Sequence, residues 1–307
     1  MDSCKGRNTL RVKLLCTDGK GAFSEVAWDK PEINDNEIEV RAVLTGVCRS
    51  DIDMMNGEFG PLPISMHGHE GLGQVTQVGA NIRNVAIGDY VATRGEPAYA
   101  DVYNVRKDEY VWVPTAEPKY ILEPVACGVN VVYQNLREIA DRSGDGRRLL
   151  ILGSGFLAWV AYNTLLINHL DFDITVIGRS NTDLWGDKLS TEFTGDFDVI
   201  LDLTDRTDYL TGDCIRNSGL IVIGTDKHIN QTFGQLIWKA VTISFPSPRT
   251  EKFAECMRLA RDWIKEDQLN VDKFWTRSYN RSTEWQSAFA DGQNRPVGYS
   301  RGYIKWD

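Results

Sequence analysis

Leu149-Leu150-Ile151-Leu152-Gly153-Ser154-Gly155-Phe156-Leu157-Ala158 is the stretch from which the fold is read. A continuous apolar run ends in G-x-G-x-x-A. Such a run suits a strand covered on both faces. The glycines permit a tight turn and a close approach of backbone to a pyrophosphate at the start of a helix. The pattern alone is weak, but here it sits between a strand and an apolar helix, Phe156–Ile167, which is the context it requires. Further short apolar runs follow at Ile174–Ile177, Val199–Leu203 and Leu220–Ile223 and predict more parallel strands. Only residues 179–197 separate the second strand from the third. One crossover helix fits that gap, but a further strand with its own crossover does not. The reading is a nucleotide-binding half that has lost one strand and one helix.

Upstream the texture changes. Leu10–Leu15, Glu37–Leu44, Gly73–Val78, Tyr90–Thr93, Tyr99–Val105 and Tyr110–Val113 are short, rich in Val, Tyr and Leu, and broken by Gly, Asn, Asp and Pro. They predict a compact β barrel or sandwich. Helices are expected over Cys127–Ile139, after an N-cap at Thr250 with Phe253, Met257, Ala260 and Ile264 on one face, and after a capping box at Thr283-x-x-Gln286. Gly302–Trp306 reads as a closing strand.

Two strings in the β-rich part carry chemistry: Gly46-Val47-Cys48-Arg49-Ser50-Asp51 and Gly68-His69-Glu70-Gly71. Each pairs a good zinc ligand with a nearby carboxylate. A third carboxylate follows in Leu122-Glu123-Pro124. A single cysteine is most often a small buried hydrophobe, and a single His-Glu pair a surface feature. In this order, ahead of the glycine loop, they read together as a metal site. Thiolate, imidazole and carboxylate form a donor set for zinc with one position left open. Cys4, Cys16, Cys127, Cys214 and Cys256 are read as ordinary thiols.

These residues, with Gly88-Asp89-Tyr90-Val91 and Gly224-Thr225, resemble the zinc-containing branch of the medium-chain dehydrogenase/reductase family, the alcohol, sorbitol and threonine dehydrogenases. The resemblance implies an α/β chain with a GroES-like β-rich catalytic domain, over 1–130 and 270–307, and a shortened Rossmann-type cofactor domain over 131–269. It places the active site in the cleft. It makes Cys48 and His69 zinc ligands, with Glu123 as third ligand directly or through water. Glu70 is either a group behind the ligands or a fourth ligand that exchanges with substrate. Asp51 would accept a proton from the distal nitrogen of His69. Ser50 would relay the substrate proton. Where many relatives carry a histidine three residues later this chain has Asp53, which is either a poorer relay or a surface aspartate without a role. The family lobe with four cysteines around a structural zinc has no counterpart, since Gly88–Val105 contains no cysteine.

Gly153, Ser154, Gly155, Phe156, Leu157, Thr204 and Gly224 would line the cofactor. At the end of the second parallel strand, Gly178-Arg179-Ser180 stands where an NAD site carries an acid. Arg179 and Ser180 suit a 2′-phosphate, so NADP(H) is expected over NAD(H); Asp183 and Asp187 lie beyond the strand end. The implied reaction is hydride transfer between the cofactor and a secondary alcohol, a polyol, or the matching ketone or aldehyde. Two other readings stay open: a metal-free reductase of the same fold, which lacks this ligand set, and a non-catalytic zinc-binding member with a degenerate nucleotide domain. A homo-oligomer, dimer or tetramer, is implied through Val241–Phe245.

Composition agrees with a soluble enzyme. A net charge of -9 argues against a nucleic-acid footprint, which needs a basic face. No apolar run is long enough for a bilayer, and the opening MDSCKGRNTL has no apolar signal core. Six scattered cysteines without a Cys-x-x-Cys pair suit the reducing cytoplasm.

Overall fold

The computed structural model describes residues 10–225 and 233–306; Cys4 lies outside them. The chain divides into two units, Met1–Pro124 with Asn270–Asp307, and Val125–Leu269.

The first unit is β-rich. Strands β1 (Leu10–Thr17) and β2 (Phe23–Lys30) form an antiparallel hairpin. A seven-stranded sheet holds β3 (Glu37–Gly46), β4 (Gly71–Val78), β5 (Tyr90–Thr93), β6 (Val102–Arg106) and β7 (Tyr110–Val113), with β14 (Trp275–Asn280) and β15 (Arg301–Lys305) from the far end of the chain. Helix α1 (Arg49–Met55) follows β3, and α7 (Trp285–Asn294) packs near β14 and β15. One apolar core unites these elements, from Val12 and Leu14 through Ile38, Val40 and Val75 to Phe289 and Ile304. Hairpin strand β2 has an alternating, mostly open face, which explains why its sequence carries no strong apolar run.

Helix α2 (Leu122–Tyr133) begins at the change of unit, and α3 (Leu136–Ala140) follows, so the helix expected over Cys127–Ile139 is broken at Gln134-Asn135. The second unit holds a six-stranded parallel sheet: β8 (Arg148–Leu152), β9 (Asp173–Ile177), β10 (Leu189–Ser190), β11 (Phe197–Asp202), β12 (Ile215–Ile223) and β13 (Thr242–Ser244). Their spatial order, β10-β9-β8-β11-β12-β13, is the doubly wound one. Alternate residues of each strand enter opposite cores. Leu149, Ile151, Val199 and Leu201 pack under α2, α3 and α4 (Phe156–Ile167), through Val131, Ile139, Ala158 and Leu165. Leu150, Leu152, Ile200 and Ile221 pack instead under Tyr209, Leu210 and Leu236.

The expected loss of a strand is corrected here. β10 is present, reduced to two residues parallel to β9. Helix is what has gone. Two 3-10 turns, Thr182–Leu184 and Gly186–Lys188, make the crossover. Between them the buried Trp185 packs edge-on against Trp159 and Tyr162, at 5.7 and 5.4 Å between ring centroids. Its side chain joins the core that α2, α3 and α4 cover. The other face is covered by the 3-10 turn Asp208–Thr211 and the short α5 (Gly234–Trp238).

Two cap expectations are also corrected. Helix α6 (Phe253–Lys265) is capped by Lys252 rather than Thr250, whose carbonyl accepts the Phe253 amide in a preceding turn. Helix α7 is capped by Glu284 without a Thr283 side-chain bond.

Candidate metal and cofactor sites

Strand pairing assembles the first site. β3 and β4 are antiparallel neighbours with Thr45 opposite Gly71, so Cys48, just beyond one strand, meets His69 and Glu70, just before the other. Gly46 makes the approach feasible: a Cβ there would lie 2.0 Å from Glu70 Oε2. Donor atoms of Cys48, His69 and Glu70 all fall within 4.8 Å of one another. Cys48 and His69 are half-buried and Glu70 is fully buried.

Cys48 is the N-cap of α1, and the carboxylate of Asp51 reaches back to accept its amide at 2.8 Å through Oδ2. The other oxygen, Oδ1, is buried without a hydrogen bond and stands 3.7 Å from His69 Nδ1. Burial pushes the Cys48 thiol up, and the charge of Glu70 adds to it. Burial also raises Asp51, against the pull of His69, the Cys48 amide and Tyr99. For His69 burial disfavours the charge, yet Asp51, Cys48 and Glu123 together hold it well above the usual imidazole range. The cluster is therefore short of positive charge. A thiol, an imidazole and a carboxylate converging in such a place form a fitting zinc donor set, and the orphaned Asp51 oxygen is the partner such a histidine needs behind it.

Glu123 is buried in the first turn of α2 and close enough to act on His69, but it lies outside the group of three whose atoms converge; Glu70 takes the third corner. Arg301 was not foreseen. It reaches from β15 to both carboxylate oxygens of Glu70, each at 2.5 Å, with its guanidinium over the Trp275 ring at 5.1 Å. The only local signal is a charged residue opening an apolar strand. Ser50 is half-buried, and Asp53 is ion-paired to Arg49 at 2.9 Å on the outer face of α1.

The glycine loop stands between β8 and α4, as its sequence predicts. Gly153 has φ +114°, and a Cβ on Gly155, the N-cap of α4, would meet no protein atom, leaving the space before the helix to a ligand. Ser154 is buried and acts inward. Its hydroxyl donates to the Ser180 carbonyl at 2.6 Å and accepts the Ser180 amide at 3.1 Å, pinning the turn after β9 beside the loop. Arg179 and Ser180 are exposed there, and Arg179 makes no ion pair among the described residues. Phe156 is buried and Leu157 half-buried. Thr204, at the end of β11, is held by Asp202 through its amide and hydroxyl at 2.9 and 2.8 Å. Gly224 ends β12, where a Cβ would strike Leu203 and Val131. All these positions follow carboxyl ends of parallel strands, where open α/β sheets bind ligands.

Residues 34–117 match the family described as Alcohol dehydrogenase GroES-like domain. A Leishmania amazonensis chain named Probable quinone oxidoreductase is 26% identical over 186 residues, 60% of this chain and 53% of that one. Residues 34–117 thus carry the GroES-like domain of alcohol dehydrogenases. The chain spans about half the length, or less, of the curated relatives it matches. Solved structures share its fold. A thermostable alcohol dehydrogenase from Pyrobaculum aerophilum superposes with a TM-score of 0.78 at 15% identity, covering 96% of this chain and 100% of that one. A Sinorhizobium meliloti protein bound to NADP superposes with a TM-score of 0.73 at 16% identity, covering 96% and 99%. At these identities the likeness is one of fold. Among the described residues no helix is long and apolar enough to cross a membrane.

Proposed function

We propose that this protein is a zinc-dependent oxidoreductase of the medium-chain dehydrogenase/reductase family that moves a hydride between NADP(H) and a secondary alcohol or polyol, or the matching carbonyl. The observation that carries the reading is the convergence of Cys48, His69 and Glu70 within 4.8 Å beside an orphaned carboxylate oxygen of Asp51. Zinc in this donor set supplies Lewis acidity, which polarises a substrate oxygen and lowers the pKa of its hydroxyl. NADP(H) supplies or accepts the hydride. The chain's own residues do the rest. Cys48 and His69 hold the metal, and Asp51 holds the imidazole through Nδ1. Arg301, bonded to both oxygens of Glu70, would fix where that carboxylate stands beside the metal, and Glu123 would add negative charge that favours a cation. Ser50 takes the substrate's hydroxyl proton and passes it outward. Asp53 is taken up by its pair with Arg49, so the proton leaves Ser50 for solvent.

In the second unit the loop Gly153–Leu157 receives the pyrophosphate, and Thr204 and Gly224 flank the nicotinamide half. Arg179 and Ser180 meet the 2′-phosphate. Among the described residues Cys16, Cys48, Cys127, Cys214 and Cys256 form no disulfide, which fits a cytoplasmic setting. The outer strand β13 lies at a sheet edge with Ile237, Trp238 and Phe245 exposed by 73, 88 and 66%, which supports a homo-oligomer through that edge.

The test is a titration of the zinc-loaded protein with NADPH and with NADH, followed by nicotinamide fluorescence, and then a screen of alcohols and ketones. The reading expects NADPH to bind at least about tenfold more tightly, the scale of one charge-assisted contact. Binding of neither nucleotide overturns it and favours a non-catalytic zinc-binding member, for which the thin cover on one face of the second sheet is the supporting observation.

A further inference from the structure

Tyr99 is fully buried, its ring edge-on to Phe23 and Phe289 at 5.8 and 5.4 Å. A phenylalanine would fill that place equally well. The hydroxyl is what needs explaining. It donates to Asp51 Oδ2 at 2.8 Å and lies 3.1 Å from the Gly46 carbonyl. The same Oδ2 accepts the Cys48 amide. Asp51 is thus gripped at one oxygen by two donors, and its other oxygen is left bare toward His69 Nδ1. The backbone around Tyr99 is stitched to the loop that carries His69. The Tyr99 amide donates to the His67 carbonyl at 3.4 Å, and the Ala98 amide to the Gly68 carbonyl at 2.9 Å. Gly68 has φ +79°, and a Cβ there would fall 2.6 Å from Tyr99 Cγ, so only glycine lets the loop lie flat on this residue.

We propose that Tyr99 is a positioning residue of the metal centre: its hydroxyl fixes the Asp51 carboxylate so that Oδ1 is presented to His69 Nδ1, which leaves His69 Nε2 as the metal donor. This rests on the reading that Cys48, His69 and Glu70 hold zinc. The reasoning is one of tautomer and rotation. A histidine whose Nδ1–H is engaged has its lone pair on Nε2. A carboxylate held only by the Cys48 amide is free to turn Oδ1 away. Groups behind a metal-binding histidine typically change metal affinity about 10- to 100-fold, which is the loss expected when the hydroxyl is removed.

The experiment is a cobalt(II) titration, in competition with a chelator, of the wild type, Tyr99→Phe, Asp51→Asn and the double variant, with Cys48→Ser as control. The wild type should bind one cobalt with a thiolate charge-transfer band that Cys48→Ser lacks. Tyr99→Phe should bind about tenfold or more weakly, while its metal-free form unfolds at the wild-type denaturant concentration. In the Asp51→Asn background the same change should cost nothing further, because the hydroxyl acts through that carboxylate. Equal affinity of Tyr99→Phe and wild type, or costs that add in the double variant, overturns the proposal and leaves the zinc reading standing. A wild type that takes up no cobalt through Cys48 removes the zinc reading itself. If Tyr99→Phe does not fold, the wild type carries the test: the Tyr99 hydroxyl proton should exchange slowly, resonate downfield and shift on metal uptake, and a resonance that metal leaves unmoved overturns the proposal.

Discussion

The first unit buries two ionic clusters of opposite construction. Around Glu39 every charge is answered. Lys30 Nζ reaches Glu39 Oε2 at 2.8 Å, Asn104 Oδ1 at 2.7 Å and the Pro31 carbonyl at 2.9 Å, while Thr76 and Gln77 donate to Glu39 Oε1. Around Cys48 the balance is open: the thiol, His69, Glu70 and Asp51 converge, Arg301 is spent on Glu70, and one Asp51 oxygen has no donor. The second unit repeats the contrast. Asp198 is closed by Arg147, Arg216 and the Arg148 amide, whereas Arg179 stands exposed beside the glycine loop. Closed clusters hold a fold together. Open ones are places where something else completes the charge.

Each side of that contrast can be broken separately. The largest effect is expected from Cys48→Ser. Removing the thiolate from a three-donor site should weaken zinc about a thousandfold, roughly 4 kcal/mol, measured by chelator competition, with little change in the metal-free fold. Glu39→Gln should do the reverse. It strands the buried Lys30 and costs about 3 kcal/mol in urea unfolding, while zinc per folded chain is unchanged.

The Glu39 cluster also has a pH signature. Burial opposes its charge, but Lys30, Thr76 and Gln77 hold the carboxyl below the usual range. Its stabilisation is therefore complete above the ordinary glutamate pKa of about 4.3 and is lost as pH falls through the lower folded value. The stability difference between wild type and Glu39→Gln should be constant above about pH 5 and shrink as pH falls below about 4. A difference that persists unchanged in acid would show that shape, not charge, is what Glu39 provides.

In the second unit Arg179→Ala should weaken NADPH about 10- to 100-fold and leave NADH within about twofold, read by fluorescence titration. Equal losses for both nucleotides would mean that Arg179 does not read the 2′-phosphate. The smallest effect belongs to Asp53→Asn. An exposed i,i+4 pair with Arg49 is worth under about 0.5 kcal/mol, and neither zinc affinity nor the midpoint of urea unfolding should move measurably.

What could be read from the chain alone follows the range of the interactions. The strand–loop–helix at Leu149–Ile167 and the two ligand strings are local, so periodicity and spacing expose them. β10 escaped because two residues carry no period, and the crossover before it holds only 3-10 turns around the buried Trp185, which no pattern records. Thr250 and Thr283 had the right chemistry for caps, but the chain makes another turn before each helix, and boundaries are set by those turns. Arg301 and Tyr99 reach the site from strands and loops far along the sequence. Nothing near either residue announces its partner; only the pairing of β15 with β3, and of the Ala98-Tyr99 backbone with the His67-Gly68 loop, brings them in.

The central claim is that the open cluster is a zinc site, and metal content tests it most directly. The purified wild type and Cys48→Ser should be dialysed against dilute zinc and analysed by elemental mass spectrometry alongside a thiol titration. The account predicts one zinc per wild-type chain, protection of Cys48 from thiol reagents, and almost no zinc in Cys48→Ser. A wild type without zinc, or a Cys48→Ser variant that keeps it, would contradict the account.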